Sequence, residues 1–183
     1  LVENNQHDLI CLPDVAIDMV NDKTLLIIVD THTQVLVESA AIYKKAKQVV
    51  VIDHHRKMVN HIENAVIFYH EPYASSASEM VTELVQYFGD QCKLTSLEAE
   101  ALLAGIMLDT RNFVIKTGVR TFEAAAYLRR LGADTVEVRK LFASTMDTYQ
   151  RKTRIVSNAE IYKHCAIAVC DFVSEDLRRD DPQ

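Results

Sequence analysis

The chain has 183 residues, of which 49% are hydrophobic, so it is long enough for one domain with a buried core and part of a second. Its 4 Gly and 3 Pro residues exclude collagen-like and turn-rich all-β architectures. Its formal net charge of -6 excludes a diffuse basic surface for long nucleic acid, so a phosphate-bearing partner would need local cations or metal ions.

The amino-terminal half of the chain predicts a strand-helix-strand unit. Two short apolar runs rich in β-branched residues, 24–29 and 48–52, are each followed by an Asp and predict buried parallel strands. Between them, residues 37–46 have helical spacing and end near lysines, which suit a helix carboxyl terminus. With a third strand predicted at residues 65–69, the pattern indicates an α/β fold with a parallel, Rossmann-like sheet flanked by helices.

The rest of the chain is predicted to be mainly helical. Ser76-x-x-Glu79 and Thr95-x-x-Glu98 have the form of a capping box and predict helix starts, while Gly89 predicts a helix end. Further helices are predicted at residues 121–131 and 134–142. A polar connecting helix is predicted at residues 147–163, followed by a strand at 165–170 that leads into a second domain. Residues 178–183 are charged and are expected to fray.

The cysteines and the hydropathy indicate the compartment. The residues Cys11, Cys92, Cys165 and Cys170 lack C-x-x-C and zinc-ribbon spacings, as is typical of small buried residues in a reducing cytosol. No apolar run approaches the roughly 20 residues that cross a bilayer, and no signal peptide is visible. We therefore expect a cytoplasmic location. Because the chain begins with Leu1 rather than Met, we also expect it to be a segment of a longer protein.

Five polar residues stand at the predicted ends of helices and strands: Asp30, Asp53, His54, His55 and Asp109. In an open α/β sheet, ligands bind outside the carboxyl ends of the strands, and neighbouring strands lie ~5 Å apart. Carboxylates with an imidazole suit Mn²⁺ better than calcium or structural zinc. The pattern predicts a metallohydrolase site. Asp30 and Asp109, taken singly, are also typical of turns or helix caps. In Asp-His-His, two adjacent imidazoles beside a carboxylate contribute little to structure, which favours a functional role.

Four segments resemble the DHH phosphoesterase superfamily in sequence, order and spacing. They are Val-Asp-Thr-His (29–32), Val-Ile-Asp-His-His-Arg (51–56), Tyr-Ala-Ser-Ser-Ala-Ser-Glu (73–79) and Leu-Leu-Ala-Gly-Ile-Met-Leu-Asp-Thr-Arg-Asn-Phe (102–113). Residues 120–129 and the following Gly-Ala-Asp are similar to the GdpP/YybT branch, membrane-anchored cyclic-di-AMP phosphodiesterases of Gram-positive bacteria. The resemblance covers nearly the whole chain. It implies hydrolysis of cyclic-di-AMP to the linear dinucleotide by water that two metal ions activate.

The resemblance also implies a role for each residue of the site. By it, Asp30 bridges two Mn²⁺ ions, His54 binds one of them, and Asp109 completes the ligands of that ion. Mg²⁺ and Co²⁺ are the alternative metals. His55 would face the scissile phosphate and stabilise its negative charge, and Asp53 would orient a histidine.

Other polar residues are candidates for substrate binding. Ser75 and Ser76 stand at a predicted helix start, where hydroxyls can donate to a phosphate, and Arg111 closely follows Asp109. A capping role for the serines and a solvated surface position for Arg111 stay open as alternatives. His32, two residues from Asp30, is interpreted as a turn residue, and a position lining the site stays open as the alternative.

The chain also departs from the family pattern. The first family motif, His-x-x-x-Asp-x-Asp, would supply three further metal ligands, but His7 is the only His before Asp30 and lacks this spacing. The Gly-Gly-His signature of the carboxyl-terminal subdomain is also missing. We therefore expect a fold truncated at both ends, with a DHH domain at residues 1–146, a connecting helix at 147–163 and the start of a DHHA1 subdomain at 164–183. This piece alone is expected to be inactive.

Three other functions stay open. They are a RecJ-like or oligoribonuclease exonuclease, a family II inorganic pyrophosphatase, and a non-catalytic interaction module. The absence of a basic stripe interleaved with aromatic residues counts against a processive exonuclease, and residues 120–129 count against a pyrophosphatase. The expected partners are a cyclic dinucleotide or a short oligonucleotide and a second copy in a homodimer. Membrane contact is expected only through upstream segments.

Overall fold

The computed structural model describes residues 10–89 and 92–169. The chain divides into two compact units, Leu1–Leu141 and Phe142–Gln183, each of which is described by itself. The predicted frayed end at 178–183 and the last residue of the predicted strand, Cys170, lie outside the described residues. The expected domain boundaries at residues 146 and 163 stay a prediction.

A parallel sheet forms the centre of the first unit, and the predicted fold class is confirmed. Its strands, in the spatial order β1-β2-β3, are β1 (Leu25–Val29), β2 (Gln48–Asp53) and β3 (Ile67–His70). Val29 stands opposite Ile52, and Asp53 stands opposite His70. Because the strands are parallel and in register, their carboxyl ends lie at one edge of the sheet.

The middle strand, β2, is buried on both faces. Val49 and Val51 belong to the hydrophobic cluster on one face, and Val50 and Ile52 pack with Met80 on the other. This alternation follows from the two-residue period of a strand, and a continuous apolar run is typical of a parallel strand that is covered on both sides. The residues that follow β2 are therefore held by a rigid strand.

Helices pack around this sheet and against one another. They are α1 (Pro13–Met19), α2 (Ala40–Lys45), α3 (Ala77–Phe88), α4 (Ser96–Asp109), α5 (Val119–Arg130) and α6 (Thr135–Leu141), with a short 3-10 helix at Gln34–Leu36. A second core lies among α4, α5 and α6, where Leu103, Ile106, Leu128 and Val138 are fully buried. Helix α4 therefore holds its last residue, Asp109, on a well-packed element.

The capping residues determine where the helices begin. At α4, Thr95 and Glu98 form the predicted reciprocal capping box. At α3, the hydroxyl of Ser76 accepts from the backbone N–H of Glu79, but the Glu79 carboxylate accepts from Ser75 instead of returning to Ser76. Helix α2 is shorter than the predicted 37–46. Its N-cap is Ser39, whose hydroxyl accepts from the backbone N–H of Ile42, so the helix begins only at Ala40.

Gly105 lets α3 and α4 pack closely. A Cβ atom at position 105 would lie 2.0 Å from Ser78 Oγ and 2.9 Å from Ser78 Cβ, well inside van der Waals contact. We expect Gly105→Ala to lower the free energy of unfolding by about 1–3 kcal/mol. Alanine at a compatible site normally has the opposite effect, stabilising by about 0.4–1 kcal/mol. Urea unfolding followed by circular dichroism measures the change.

A second substitution identifies the cause of that loss. Adding Ser78→Gly to Gly105→Ala removes the two atoms that the new Cβ would meet, and should recover part of the lost stability. A single Gly105→Ala variant more stable than the unchanged chain would show that close approach does not constrain this position.

The second unit differs from its prediction. It contains α7 (Met146–Ser157) and an antiparallel pair, β4 (Glu160–Tyr162) and β5 (Cys165–Ile167). The helix predicted at 147–163 ends at Ser157, with Asn158 as its C-cap, and residues 160–162 form β4 instead. Lys163, with a left-handed φ of 54°, then turns the chain from β4 into β5. The strand predicted at 165–170 is confirmed for residues 165–167.

The cysteines in the described part of the chain are more exposed than predicted. The prediction of buried cysteines is wrong for Cys11 and Cys165, which are exposed, and Cys92 is partly exposed. Within residues 10–89 and 92–169, no helix combines the length and the hydropathy that a membrane crossing requires.

Candidate metal centre

Asp30 follows β1 directly, at the edge where the strands end. Its φ of 64° is left-handed, a conformation that Asp tolerates better than most residues with a Cβ atom. Its N–H still donates to the carbonyl of Ile52 at 3.0 Å, so the chain turns away only after this last ladder bond. About half of the Asp30 side chain (56%) is exposed, so its carboxylate remains open to a ligand from solution.

His54 lies between two carboxylates. Its Nε2 is 3.3 Å from Asp30 Oδ1 and 3.5 Å from Asp109 Oδ2, and its ring is almost fully buried. The backbone carbonyl of Ala74 accepts a hydrogen bond from the ring. A histidine held in this way presents Nε2 as a metal ligand.

The neighbouring charges shift the pKa of both His54 and Asp109. Burial lowers the pKa of His54, but the hydrogen bond with Asp30 and the charges of Asp109 and Asp30 outweigh it, so the pKa is raised. Burial raises the pKa of Asp109, and the charge of Asp30 raises it further, against the opposing effects of His54, His55 and Lys116. Two carboxylates thus repel each other around one imidazole, an arrangement that a divalent cation would relieve.

Asp53, the last residue of β2, is fully buried and uses both carboxylate oxygens. Its Oδ1 accepts from His55 Nδ1 at 2.8 Å, and its Oδ2 accepts from His32 Nδ1. Burial raises the pKa of Asp53, but the hydrogen bonds from His55 and His32 outweigh it, so the pKa is lowered. The result is an ionised carboxylate that holds two imidazoles in fixed orientations.

His55 lies at the rim of the cluster that Asp30, His54 and Asp109 form, with about half of its side chain exposed. Its Nδ1 is 4.0 Å from Asp30 Oδ1, and its ring centre is 4.5 Å from that of His54. His70 Nε2 lies 2.6 Å from the backbone carbonyl of His55 and donates to it. With Nδ1 and the carbonyl engaged, the ring atom left to contact a ligand is Nε2.

Two further histidines, His32 and His70, lie in this region, and the sequence did not predict that either stands beside Asp53. His32 is not a simple turn residue: it is only 2% exposed and donates to Asp53. His70 ends β3 beside Asp53. The available signal was the same for both, since each stands at or just after the end of a parallel strand, where the sheet brings polar residues together.

The serines proposed for substrate binding have partners inside the protein. Both Ser75 and Ser76 are buried. Ser75 Oγ donates to Glu79 Oε2 at 2.6 Å, and Ser76 Oγ accepts from the Glu79 backbone N–H at 3.0 Å. These bonds favour the capping alternative, and phosphate binding by the two hydroxyls stays a prediction.

Arg111 stands on an exposed turn just after Asp109. The turn is tight: Arg111, Asn112 and Phe113 all take left-handed φ angles of 47°, 58° and 64°. The Thr110 hydroxyl stabilises it by accepting from the Phe113 backbone N–H at 2.9 Å. Strained backbone of this kind is concentrated at functional sites, and it presents Arg111 to solution next to the cluster's Asp109.

The chain is similar to a known protein family and to curated proteins. The model of the DHH family, N-terminal domain, matches residues 4–106. The cyclic-di-AMP phosphodiesterase GdpP of Geobacillus thermodenitrificans is 47% identical over 152 residues, which cover 83% of this chain and 23% of that protein. The cyclic-di-AMP phosphodiesterase GdpP of Bacillus subtilis is 46% identical over 151 residues, covering 82% of this chain and 23% of that protein. The chain thus spans about a quarter of these relatives.

A solved structure has the same fold. An exopolyphosphatase-related protein from Bacteroides fragilis superimposes with a TM-score of 0.72, covering 89% of this chain and 46% of that chain, at 20% sequence identity. At this identity the likeness shows the fold alone.

Proposed function

This chain belongs to the DHH family, and from that membership we propose that it carries the metal-binding core of a phosphodiesterase that hydrolyses cyclic-di-AMP to the linear dinucleotide. The observation that carries the proposal is the meeting of Asp30, His54 and Asp109, with His54 Nε2 within 3.5 Å of both carboxylates. The substrate is proposed from the two GdpP relatives, which are named cyclic-di-AMP phosphodiesterases.

The donor set fits a divalent cation. Asp30, His54 and Asp109 offer carboxylate oxygens and one imidazole nitrogen, a combination that suits Mn²⁺, with Mg²⁺ or Co²⁺ as alternatives. Asp30, the more exposed of the two carboxylates, would hold the metal together with Asp109 and Nε2 of His54. Bound ions of this kind supply Lewis acidity, which lowers the pKa of water and neutralises phosphoryl charge.

The other side chains act on the substrate. His55 keeps Nδ1 on Asp53, so a protonated His55 ring can donate from Nε2 to a phosphoryl oxygen without leaving its position. Arg111 would give a second, bidentate contact to phosphate. The whole chain carries a net charge of -6, which would repel an anionic substrate. The local cations and the bound metal ions would reverse the sign of the field at the site and attract the substrate.

The position of the protein in the cell and its assembly belong to the same proposal. We place the site in the cytosol, with membrane contact only through upstream segments, and the chain in a homodimer. Strand β1 lies at an edge of the described sheet and leaves Leu25, Ile27 and Val29 about half exposed. An edge strand with apolar residues favours pairing with a second copy. Light scattering of the purified chain gives the mass that tests this.

A chimera tests the activity. In it, this chain replaces the matching region of the Bacillus subtilis relative, with which it is 46% identical over 151 residues. We expect the chimera to convert cyclic-di-AMP to the linear dinucleotide in the presence of Mn²⁺. Linear oligonucleotides and pyrophosphate test the exonuclease and pyrophosphatase alternatives. A folded chimera that binds Mn²⁺ but cleaves only one of these other substrates would contradict the proposal.

The 183-residue chain alone is expected to turn over cyclic-di-AMP negligibly. Asp30, His54 and Asp109 supply at most three or four donor atoms, fewer than two octahedral ions require, and water replaces fixed carboxylates poorly. The same assay, run on the chain and on the chimera at equal Mn²⁺ concentration, measures the difference. Equal rates would show that these ligands suffice, and this account of the metal centre would be wrong.

Metal binding should weaken in acid. The pKa of His54 is raised above 6.5, so a proton competes with the metal for Nε2 at and above that pH. As the pH rises through the raised pKa, the proton leaves and Mn²⁺ affinity should increase until His54 is neutral. Calorimetric titrations with Mn²⁺ at several pH values measure this. An affinity that stays constant through this range would remove His54 from the ligand set.

A further inference from the structure

His32 is a buried polar residue outside the proposed ligand set. Its ring nitrogens both have partners: Nε2 accepts from the backbone N–H of Met58 at 2.9 Å, and Nδ1 is bonded to Asp53 Oδ2. Because a backbone N–H can only donate, Met58 requires Nε2 to be an acceptor. A neutral His32 therefore carries its proton on Nδ1 and donates it to Asp53. The two contacts fix both the tautomer and the orientation of the ring.

The backbone of His32 ties the same region together. Its carbonyl accepts from the N–H of Ile62 at 2.8 Å, and the next residue, Thr33, forms a β-bridge with His61. His32 thus connects the end of β1 to the segment that follows the two adjacent histidines of the DHH motif. The side chain does the same through Met58, so the position of the ring is determined from both sides.

Asp53 passes this constraint to His55. The carboxylate is fully buried, with one oxygen on His32 and the other 2.8 Å from His55 Nδ1. A carboxylate held at only one oxygen can rotate about its bond to the side chain, whereas one held at both cannot. The hydrogen bond from His32 therefore sets the plane of the carboxylate that His55 meets.

The same group has the spacing of a metal site, but hydrogen bonds account for it. Ligand atoms of His32, Asp53 and His70 lie within 4.8 Å of one another. Met58 occupies Nε2 of His32, and the Nε2 of His70 donates to the carbonyl of His55. With both Asp53 oxygens also bonded, these contacts satisfy the group without an ion.

We propose that His32 is a positioning residue, which acts through Asp53 to hold the ring of His55 at the rim of the metal centre. The inference rests on the proposed function only for the role of His55 toward the phosphodiester. The chain of contacts from Met58 through His32 and Asp53 to His55 does not depend on the substrate.

Two conservative variants separate the contacts of His32. In His32→Asn the side-chain NH₂ lies near the former Nδ1 and can donate to Asp53, but nothing reaches Met58. In His32→Gln the amide oxygen lies near the former Nε2 and can accept from Met58, but the donor to Asp53 is lost. If positioning through Asp53 is the role of His32, Asn should preserve His55 and Gln should not.

Nitrogen-15 spectra of the histidine rings in the metal-free 183-residue chain give the first measurement. In the unchanged chain we expect His32 in its neutral form with the proton on Nδ1. We expect His32→Gln to shift the ring signals of His55 and His32→Asn to leave them close to their original values. His61→Gln is the control, because the ring of His61 bonds to the carbonyl of Val59 and packs against Phe68, not against Asp53 or His55.

Turnover by the chimera gives the second measurement. We expect His32→Gln to lower kcat by about 10- to 100-fold, the usual loss when the partner of a metal-site residue is removed, and His32→Asn to restore most of it. A purely structural role would instead lower the stability of both variants and leave the His55 signals unchanged.

The outcomes separate this inference from the proposed function. A neutral His32 with its proton on Nε2 in the unchanged chain, or unchanged His55 signals in a folded His32→Gln variant, would overturn the inference. If His32→Gln does not fold, the spectrum of the unchanged chain still decides. A chimera that is inactive on cyclic dinucleotides whatever stands at position 32 would refute the proposed function, while the ring spectra would still report on His32.

Discussion

Replacement of His54 by alanine is expected to lower the Mn²⁺ affinity by more than about 100-fold, beyond the loss usual for residues that only support a ligand. The reason is geometric: Nε2 of His54 is the nitrogen that lies within 3.5 Å of both Asp30 and Asp109. Without the ring, the site loses its nitrogen donor and keeps only the two carboxylates. In the chimera, turnover should fall by orders of magnitude.

His61→Ala is the matched control for this prediction. His61 also follows β2, but its ring bonds to the carbonyl of Val59 and packs against Phe68, not against Asp30 or Asp109, so its loss should leave Mn²⁺ affinity and turnover almost unchanged. Calorimetric titration and cyclic-di-AMP hydrolysis should be measured on both variants, with circular dichroism as the check of folding. Equal effects of the two substitutions would refute the assignment of His54 as a ligand.

The second large effect is expected at Asp53. Asp53→Asn keeps the size of the side chain but replaces one acceptor oxygen by an NH₂ group, which cannot accept from His32 or His55. A buried imidazole N–H is then left without an acceptor, which should lower the free energy of unfolding by about 1–3 kcal/mol. We also expect turnover of the chimera to fall by about 10- to 100-fold with most of the Mn²⁺ affinity retained.

The contribution of Asp53 to the free energy of unfolding should depend on pH. The pKa of Asp53 is lowered by its hydrogen bonds with His55 and His32, which outweigh its burial. The stability that comes from Asp53 is therefore fully present above the pKa of an unfolded Asp and is lost as the pH falls through the lowered pKa. The difference between the unchanged chain and Asp53→Asn should accordingly shrink in strong acid.

Asp22→Asn is the control for Asp53. Asp22 forms an exposed ion pair with Lys47 at 2.7 Å, and such pairs contribute only about 0–1 kcal/mol. Urea unfolding at neutral and acid pH compares the two variants. A loss at Asp53 no larger than the loss at Asp22, or one that grows in acid, would contradict the role given to the buried carboxylate.

The sequence predicted the meeting of Asp30, His54 and Asp109 because each follows or ends a regular element. The two strands are hydrophobic runs with an unambiguous period, and parallel strands end at one edge of a sheet. The end of α4 could be located from its capping box at Thr95 and from the length of the apolar helix. These are local patterns, and they determine at which residue a strand or helix ends and therefore which side chains lie at the edge of the sheet.

The hydrogen-bond partners could not be predicted in the same way. The bond between His32 and Asp53 joins residues 21 positions apart, and neither the burial of His32 nor its tautomer has a local signature. The Glu79 side chain likewise chooses Ser75 over Ser76 through packing at the helix start. In the second unit, α7 ends at Ser157 although the helical pattern of the sequence continues to residue 163, because residues 160–162 pair with β5 through a left-handed turn at Lys163.

The most direct test of the metal centre is anomalous diffraction from crystals of the chain soaked in Mn²⁺. We expect a manganese peak within coordination distance of His54 Nε2 and of the carboxylates of Asp30 and Asp109. The Mn²⁺ concentration should be high, because the chain alone is expected to bind weakly. A peak at His32, Asp53 and His70 instead, or full occupancy elsewhere with His54 Nε2 free of metal, would contradict it.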